Sequence, residues 1–143
     1  MNTISVLLVE DNEGDILLIS EALKETKVPI TLHYAKDGHE AISYLAHHCK
    51  AGLNPLPDLI LLDINLPKKN GHEVLRYIKN SEATKPIPVI MLTTSSSHND
   101  ILTSYSNHAN CYITKPLEGI NYQDIVEKIE EFWFSLVQLP TRV

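Results

Sequence analysis

Three carboxylates, a hydroxyl and an ammonium stand at the ends of apolar runs in this sequence. Leu59-Ile60-Leu61-Leu62 runs into Asp63, Val6-Leu7-Leu8-Val9 into Glu10-Asp11, Val89-Ile90-Met91-Leu92 into Thr93, and Cys111-Tyr112-Ile113-Thr114 into Lys115-Pro116. Each run has the length and composition of a buried strand. In an α/β protein, ligands and chemistry gather outside the carboxyl ends of the strands. A carboxylate placed there can attack phosphorus and form an acyl phosphate. The transferred group is highly charged, so the protein must supply positive charge and geometry. Oxygen ligands suit a magnesium ion, which retains several waters. Asp11 and Asp63 are the expected direct ligands, Glu10 acts through a water, and the backbone carbonyl of Asn65 completes the set. Lys115 is expected to pair with a phosphoryl oxygen as a point charge, and Thr93 to offer its hydroxyl to another.

For these groups to meet, the elements carrying them must lie side by side. Strand-like runs cover 3–9, 30–35, 58–62, 87–92 and 110–114, alternating with helical patterns over 14–26, 38–49, 71–80, 98–107 and 120–138. The first helix presents Ile16, Leu17, Ile19 and Leu23; the second buries Ala41, Ile42 and Leu45; the third presents Val74, Leu75 and Ile78. The run at 58–62 is apolar on both faces, as a central parallel strand requires. Residues 98–107 contain Thr103, Ser104 and Ser106, poor helix formers, so this helix should be short or mobile. The stretch 47–57 reads as a long exposed loop before the third strand. Five alternating βα units imply parallel strands with right-handed crossovers and helices on both faces. They suit a flavodoxin-like (βα)5 doubly wound sandwich with strand order 2-1-3-4-5, whose switch point between strands 1 and 3 would hold Glu10, Asp11 and Asp63 together.

Composition narrows the functions open to the chain. Its 143 residues suit one domain with an unstapled core. Cys49 and Cys111 match no metal-ligand spacing and read as reduced thiols. The seven histidines are scattered and read as solvated. With twelve basic and eighteen acidic residues the net charge is −6, and no cluster of Lys and Arg forms a nucleic-acid footprint. No apolar stretch approaches the roughly 20 residues that cross a bilayer, and the N-terminus lacks a basic n-region. The expectation is a cytoplasmic protein that contacts neither DNA nor membrane.

Val9-Glu10-Asp11-Asn12, Leu62-Asp63-Ile64-Asn65-Leu66-Pro67, Met91-Leu92-Thr93-Thr94 and Tyr112-Ile113-Thr114-Lys115-Pro116 together resemble a response-regulator receiver domain. Their order and spacing carry the resemblance, with Asp63 and Thr93 30 positions apart and Thr93 and Lys115 22 apart. It covers a core of about 4–137, leaving a short tail at 138–143 and no output domain. The resemblance implies that Asp63 is the phosphoacceptor, that a sensor histidine kinase is the donor, and that magnesium is the cofactor. It makes Thr93 and Tyr112 a switch pair, the ring following the hydroxyl inward. It implies a cis Lys115-Pro116 bond, and gives Asn65 and Ser95 influence over phosphoryl lifetime. Leu66-Pro67-Lys68-Lys69-Asn70-Gly71, Leu92-Thr93-Thr94-Ser95, Asn110-Cys111-Tyr112 and Glu131-Phe132-Trp133 resemble the stand-alone regulators that partner cyanobacterial and bacterial phytochromes. Where receivers usually carry Gly-Ala before the fifth strand, this chain has His108-Ala109-Asn110, and Asn110 is expected to tolerate the left-handed turn.

The last helix carries two apolar stripes. Ile125, Ile129, Phe132 and Leu136 read as the core stripe, leaving Val126, Trp133 and Val137 as a candidate partner surface. The related family forms homodimers through its fourth helix, fifth strand and fifth helix, which makes a homodimer the expected assembly. Three other readings compete. A phosphohydrolase with an aspartyl-phosphate intermediate usually has an acid two residues past the nucleophile, and here that residue is Asn65. A flavin or nucleotide binder would need a Gly-rich loop where Glu10-Asp11-Asn12-Glu13 stands. A degenerate receiver acting only as a scaffold would not have every reactive position filled.

Overall fold

Apolar side chains alternate between two faces along the central strands, and each face is covered by helices. The computed structural model describes residues 3–51, 56–115 and 122–140. In chain order the elements are β1 (Ile4–Val9), α1 (Glu13–Lys24), β2 (Ile30–Ala35), α2 (Gly38–Ala51), β3 (Leu59–Leu62), α3 (Gly71–Asn80), β4 (Val89–Thr93), α4 (His98–Ser106), β5 (Cys111–Thr114) and α5 (Tyr122–Ile129), which continues into a π-helical segment, Glu130–Leu136. The five strands form one parallel sheet in the order β2-β1-β3-β4-β5. This is the flavodoxin-like arrangement expected from the sequence.

On one face Leu7, Val9, Ile60, Leu62, Val89 and Met91 pack with Ala41 and Leu45 of α2 and Val74, Leu75 and Ile78 of α3. On the other, Val6, Leu8, Leu59, Leu61, Ile90 and Leu92 pack with Ile16, Ile19, Ala22 and Leu23 of α1 and Tyr122, Val126 and Ile129 of α5. Side chains of neighbouring strand residues point to opposite faces, so a strand buried on both sides must be apolar throughout. Among the described residues no helix is long and apolar enough to cross a membrane.

Several local expectations are corrected. Leu17, assigned to the buried face of the first helix, is 58 % exposed, and Ala22 takes its place. The supposed loop at 47–57 begins as helix, since α2 runs to Ala51; residues 52–55 lie outside the described residues, and Pro57 is buried. The fourth helix, by contrast, is short as expected, at nine residues, with Ser97 as its N-cap.

The left-handed residue before β5 is His108, with φ 71°, not Asn110. It closes α4 in a Schellman motif: the His108 N–H donates to the Tyr105 carbonyl and the Ala109 N–H to the Ser104 carbonyl, both at 3.0 Å. Asn110 instead uses its side chain. Its Oδ1 accepts from the Val89 N–H at 2.9 Å and from the Lys79 ammonium at 3.2 Å, tying α3 to the starts of β4 and β5.

The stripes of the last helix are corrected in part: Ile129 is buried and Ile125 packs against the core, as expected, but Val126 and Trp133 join them while Phe132 and Leu136 do not. Val126, expected on a partner surface, is 2 % exposed, whereas Phe132 and Leu136, expected in the core, are 48 % and 71 % exposed. The sheet-facing set starts at Tyr122 and continues through Val126 and Ile129 to the half-buried Trp133, sharing Ile129 with the expected stripe and departing from it at Phe132 and Leu136. Beyond Ile129 the wider i→i+5 turn also brings Phe134 against this core. Val137, at the end of that segment, is half-buried.

Candidate functional site

Asp63 is the residue after β3, at the switch point of the sheet. Its N–H donates to the Val9 carbonyl at 3.0 Å and so prolongs the pairing of β1 with β3. The side chain is 7 % exposed. Oδ1 accepts from the Ile64 N–H at 2.7 Å, while Oδ2 faces the Lys115 ammonium at 3.4 Å. The chain then turns into α3, which starts on Asn70 with a capping box closed by Glu73. The first turn of α3 comes very close to Asp63: a Cβ on Gly71 would sit 2.1 Å from the Asp63 carbonyl oxygen. Glycine at 71 is therefore what lets the helix seat there.

Glu10 and Asp11 follow β1. Glu10 is 1 % exposed; its Oε2 accepts from the Asn12 N–H at 3.2 Å and its Oε1 pairs with Lys115. Asp11 is exposed. One carboxylate oxygen from each of Glu10, Asp11 and Asp63 lies within 4.8 Å of the others. Burial, with the charge of Asp63 adding to it, pushes the Glu10 carboxyl up to about 7 against the pull of Lys115. Oxygen donors converge here from adjacent strands, and burial makes one of them, Glu10, harder to ionise. That set fits a hard divalent cation. Asn65 is exposed in the β3–α3 loop, two residues beyond Asp63.

Lys115 follows β5, and its N–H donates to the Thr93 carbonyl at 2.7 Å. Its ammonium is buried among three carboxylates: Glu10, Asp15 at 2.9 Å and Asp63 at 3.4 Å. Burial alone would lower its proton affinity, but hydrogen bonds to Glu10 and Asp15 and the charges of Asp63 and Glu10 outweigh it, so the group stays charged. The structure thus brings together Glu10, Asp11, Asp63 and Lys115. Pro116, and with it the expected cis bond, lies outside the described residues.

Thr93 is fully buried at the end of β4, and its Oγ1 accepts from the Ser95 N–H at 3.3 Å. Tyr112 is half-buried on β5, and its hydroxyl donates to the Ser95 carbonyl at 2.8 Å. The Ser95 hydroxyl donates to Asp100 at 2.6 Å, and the other oxygen of Asp100 meets His72 Nε2 at 3.0 Å. Those two bonds hold the Asp100 carboxyl below the usual carboxylate range. Sequence reading missed Asp15, Asp100 and His72. Asp15 had a signal: it stands one helical turn after Asp11 and belongs to the same helix start.

Residues 6–130 match the response regulator receiver domain family. The chain belongs to that family. This receiver domain is 43 % identical to the response regulator Rcp1 of Synechocystis over 135 residues, covering 94 % of the chain and 92 % of Rcp1. It is also similar to the phosphorylated cyanobacterial phytochrome response regulator RcpA, with TM-score 0.90, 47 % identity, and coverage of 97 % of this chain and 99 % of the other. The Mn(2+)-bound form of Rcp1 superposes with TM-score 0.88 at 42 % identity, covering 96 % and 99 %. Family membership places the receiver domain in two-component signalling, as a phosphoacceptor whose partner is a sensor kinase.

Proposed function

We propose that Asp63 accepts a phosphoryl group from the phosphohistidine of a sensor histidine kinase, and that protein contacts read the change. The observation that carries this is the setting of Asp63: a nearly buried carboxylate at the switch point, with one oxygen held by the Ile64 N–H and the other facing an ammonium. Asp63 Oδ2 forms the O–P bond as the P–N bond to the imidazole breaks. Lys115 then transfers a donor from Asp63 to a phosphoryl oxygen. Thr93 leaves the Ser95 N–H and turns its hydroxyl to another, and Tyr112 follows. Asp11, Asp63, a water on Glu10 and the Asn65 carbonyl would hold magnesium, which neutralises charge on the phosphoryl oxygens. The three-carboxylate cluster supports the metal reading, as does the Mn(2+)-bound state of the similar Rcp1.

Asn65 cannot donate and recover a proton as an acid would, so hydrolysis of the phosphoaspartate is at most slow. The likeness to Rcp1 and RcpA supports a phytochrome-type kinase as donor. Such a partner supports a cytoplasmic location. The net charge of −6 offers DNA no complementary surface. For a homodimer, α4 supplies the exposed Leu102 and Tyr105 and the last helix the exposed Phe132 and Leu136, and an apolar cavity of about 330 Å³ is lined by Cys111 and Ile113 of β5 with Phe132 and Trp133.

Intact-protein mass after incubation with acetyl phosphate tests the reading. We expect a magnesium-dependent gain of one phosphoryl mass that is absent in Asp63→Asn. Labelling of Asp63→Asn, or none of the native protein, would overturn it. Faster transfer from a phytochrome-type kinase than from an unrelated one tests the partner.

A further inference from the structure

We propose that Asp15 is a positioning residue for phosphoryl transfer, holding the Lys115 ammonium where a phosphoryl group on Asp63 meets it. The inference rests on the reading of Asp63 above.

An ammonium has three protons, and Lys115 directs them at three carboxylates. Glu10 and Asp63 both belong to the carboxylate cluster, and both are committed once cation and phosphoryl group are bound. Asp15 stands outside that cluster. Its oxygen is 2.9 Å from the nitrogen, against 3.4 Å for Asp63. It is also held on a rigid element. The Asp15 N–H donates to the Asn12 side chain at 2.9 Å, the N-cap bond of α1, and Ile16 and Ile19 seat that helix on the sheet. A lysine side chain is long and flexible and carries a large rotamer entropy. One fixed partner lets the ammonium pass from Asp63 to the phosphoryl oxygen by a short shift instead of a search.

Tyr122 closes the far side. It is buried, and its hydroxyl has no hydrogen-bond partner among the described residues. Burial first, and then the Asp15 carboxylate, raise its proton affinity against the opposing charge of Lys115, so the hydroxyl keeps its proton within reach of Asp15. A buried hydroxyl left unpaired is costly. This one is the donor available to Asp15 when Lys115 leans toward the phosphoryl group.

The test compares Asp15→Ala, Asp15→Asn, Lys115→Ala and the Asp15→Ala/Lys115→Ala double variant in two measurements. In the first, labelling by acetyl phosphate with magnesium, we expect Asp15→Ala to be about tenfold slower, the scale of one lost charge-assisted bond. Asp15→Asn, which keeps shape and an acceptor, should fall between. The double variant should match Lys115→Ala, because a residue acting only through Lys115 has no effect once that lysine is gone. A native rate in Asp15→Ala, or losses that add in the double variant, would overturn the inference. The second measurement is proton exchange at the Lys115 ammonium, followed by nitrogen-15 NMR in metal-free protein. Exchange should quicken in both Asp15 variants, and native protection in them would also overturn it. Failure of the native protein to label would strike the reading of Asp63, and the exchange measurement would still decide the role of Asp15.

Discussion

The hydroxyl of Tyr112 donates to the carbonyl of Ser95 at 2.8 Å. The N–H of the same residue donates to Thr93 Oγ1 at 3.3 Å. Ser95 therefore touches both members of the proposed switch pair, so a movement of Thr93 toward Asp63 would disturb the residue on which Tyr112 rests. Tyr112→Phe removes one side of this bridge. We expect a loss of about 1 kcal/mol in urea unfolding and labelling at the native rate. The phosphorylation-dependent change in sedimentation should be lost; a native-sized change would remove Tyr112 from the switch.

Gly71 is demanded by space. A methyl group there meets the Asp63 carbonyl oxygen at 2.1 Å and the Ile64 Cα at 2.6 Å, both backbone atoms that cannot rotate away. Gly71→Ala should cost about 3 kcal/mol or more and slow acetyl phosphate labelling, because relief of the clash displaces Asp63. Normal labelling with reduced stability would mean that the helix yields and the site does not.

Lys79 spends all three protons on acceptors: the carbonyls of Lys85 and Ile87 at 3.1 and 2.8 Å, and the Asn110 side chain. Lys79→Met should cost about 2 kcal/mol, since polar groups are left without a partner at the start of β4. Burial holds this ammonium below the ordinary lysine value of 10.5. Between the lowered value and 10.5 the unfolded chain binds more proton than the folded one, so this group's contribution to stability rises with pH across that window. The stability gap between native and Lys79→Met protein should therefore widen as pH rises toward 10.5. A gap that narrows in paired urea titrations would contradict the assignment.

Val126 and Phe132 separate core from surface on the last helix. Val126→Ala should cost about 2 kcal/mol by opening a cavity in the core that it shares with α1 and the sheet. Phe132→Asp should leave stability within about 0.5 kcal/mol and break the proposed homodimer. Sedimentation of the phosphorylated protein as native-like dimers in Phe132→Asp would exclude this face.

The strand-end residues were legible because their signal is local. A run such as Leu59–Leu62 is apolar on consecutive positions only if both faces are covered, and Asp63 then falls at its carboxyl end. Glu10, Asp11, Thr93 and Lys115 follow by the same reasoning, and the structure brings three of these, Glu10, Asp11 and Lys115, to Asp63. Leu17 defeated the pattern: it is apolar yet exposed, since periodicity gives a stripe but not its edge. His108 defeated the backbone expectation. Asparagine is the usual non-glycine in a left-handed turn, yet the C-terminal bonds of α4 put that conformation two residues earlier.

By itself, the sequence determined the five βα units, their parallel order and the reactive groups at the switch point, because strand period, burial on two faces and crossover handedness are properties of short segments. Tertiary structure decided how the helices roll and seat on that sheet. The roll of α5 chose Val126 over Phe132 for the core, and the seating of α1 carried Asp15 to Lys115, 100 residues along the chain. Helix roll is a contest between neighbouring apolar stripes of nearly equal strength. It is settled by which side chains fill the space above the strands, a quantity that no single segment contains.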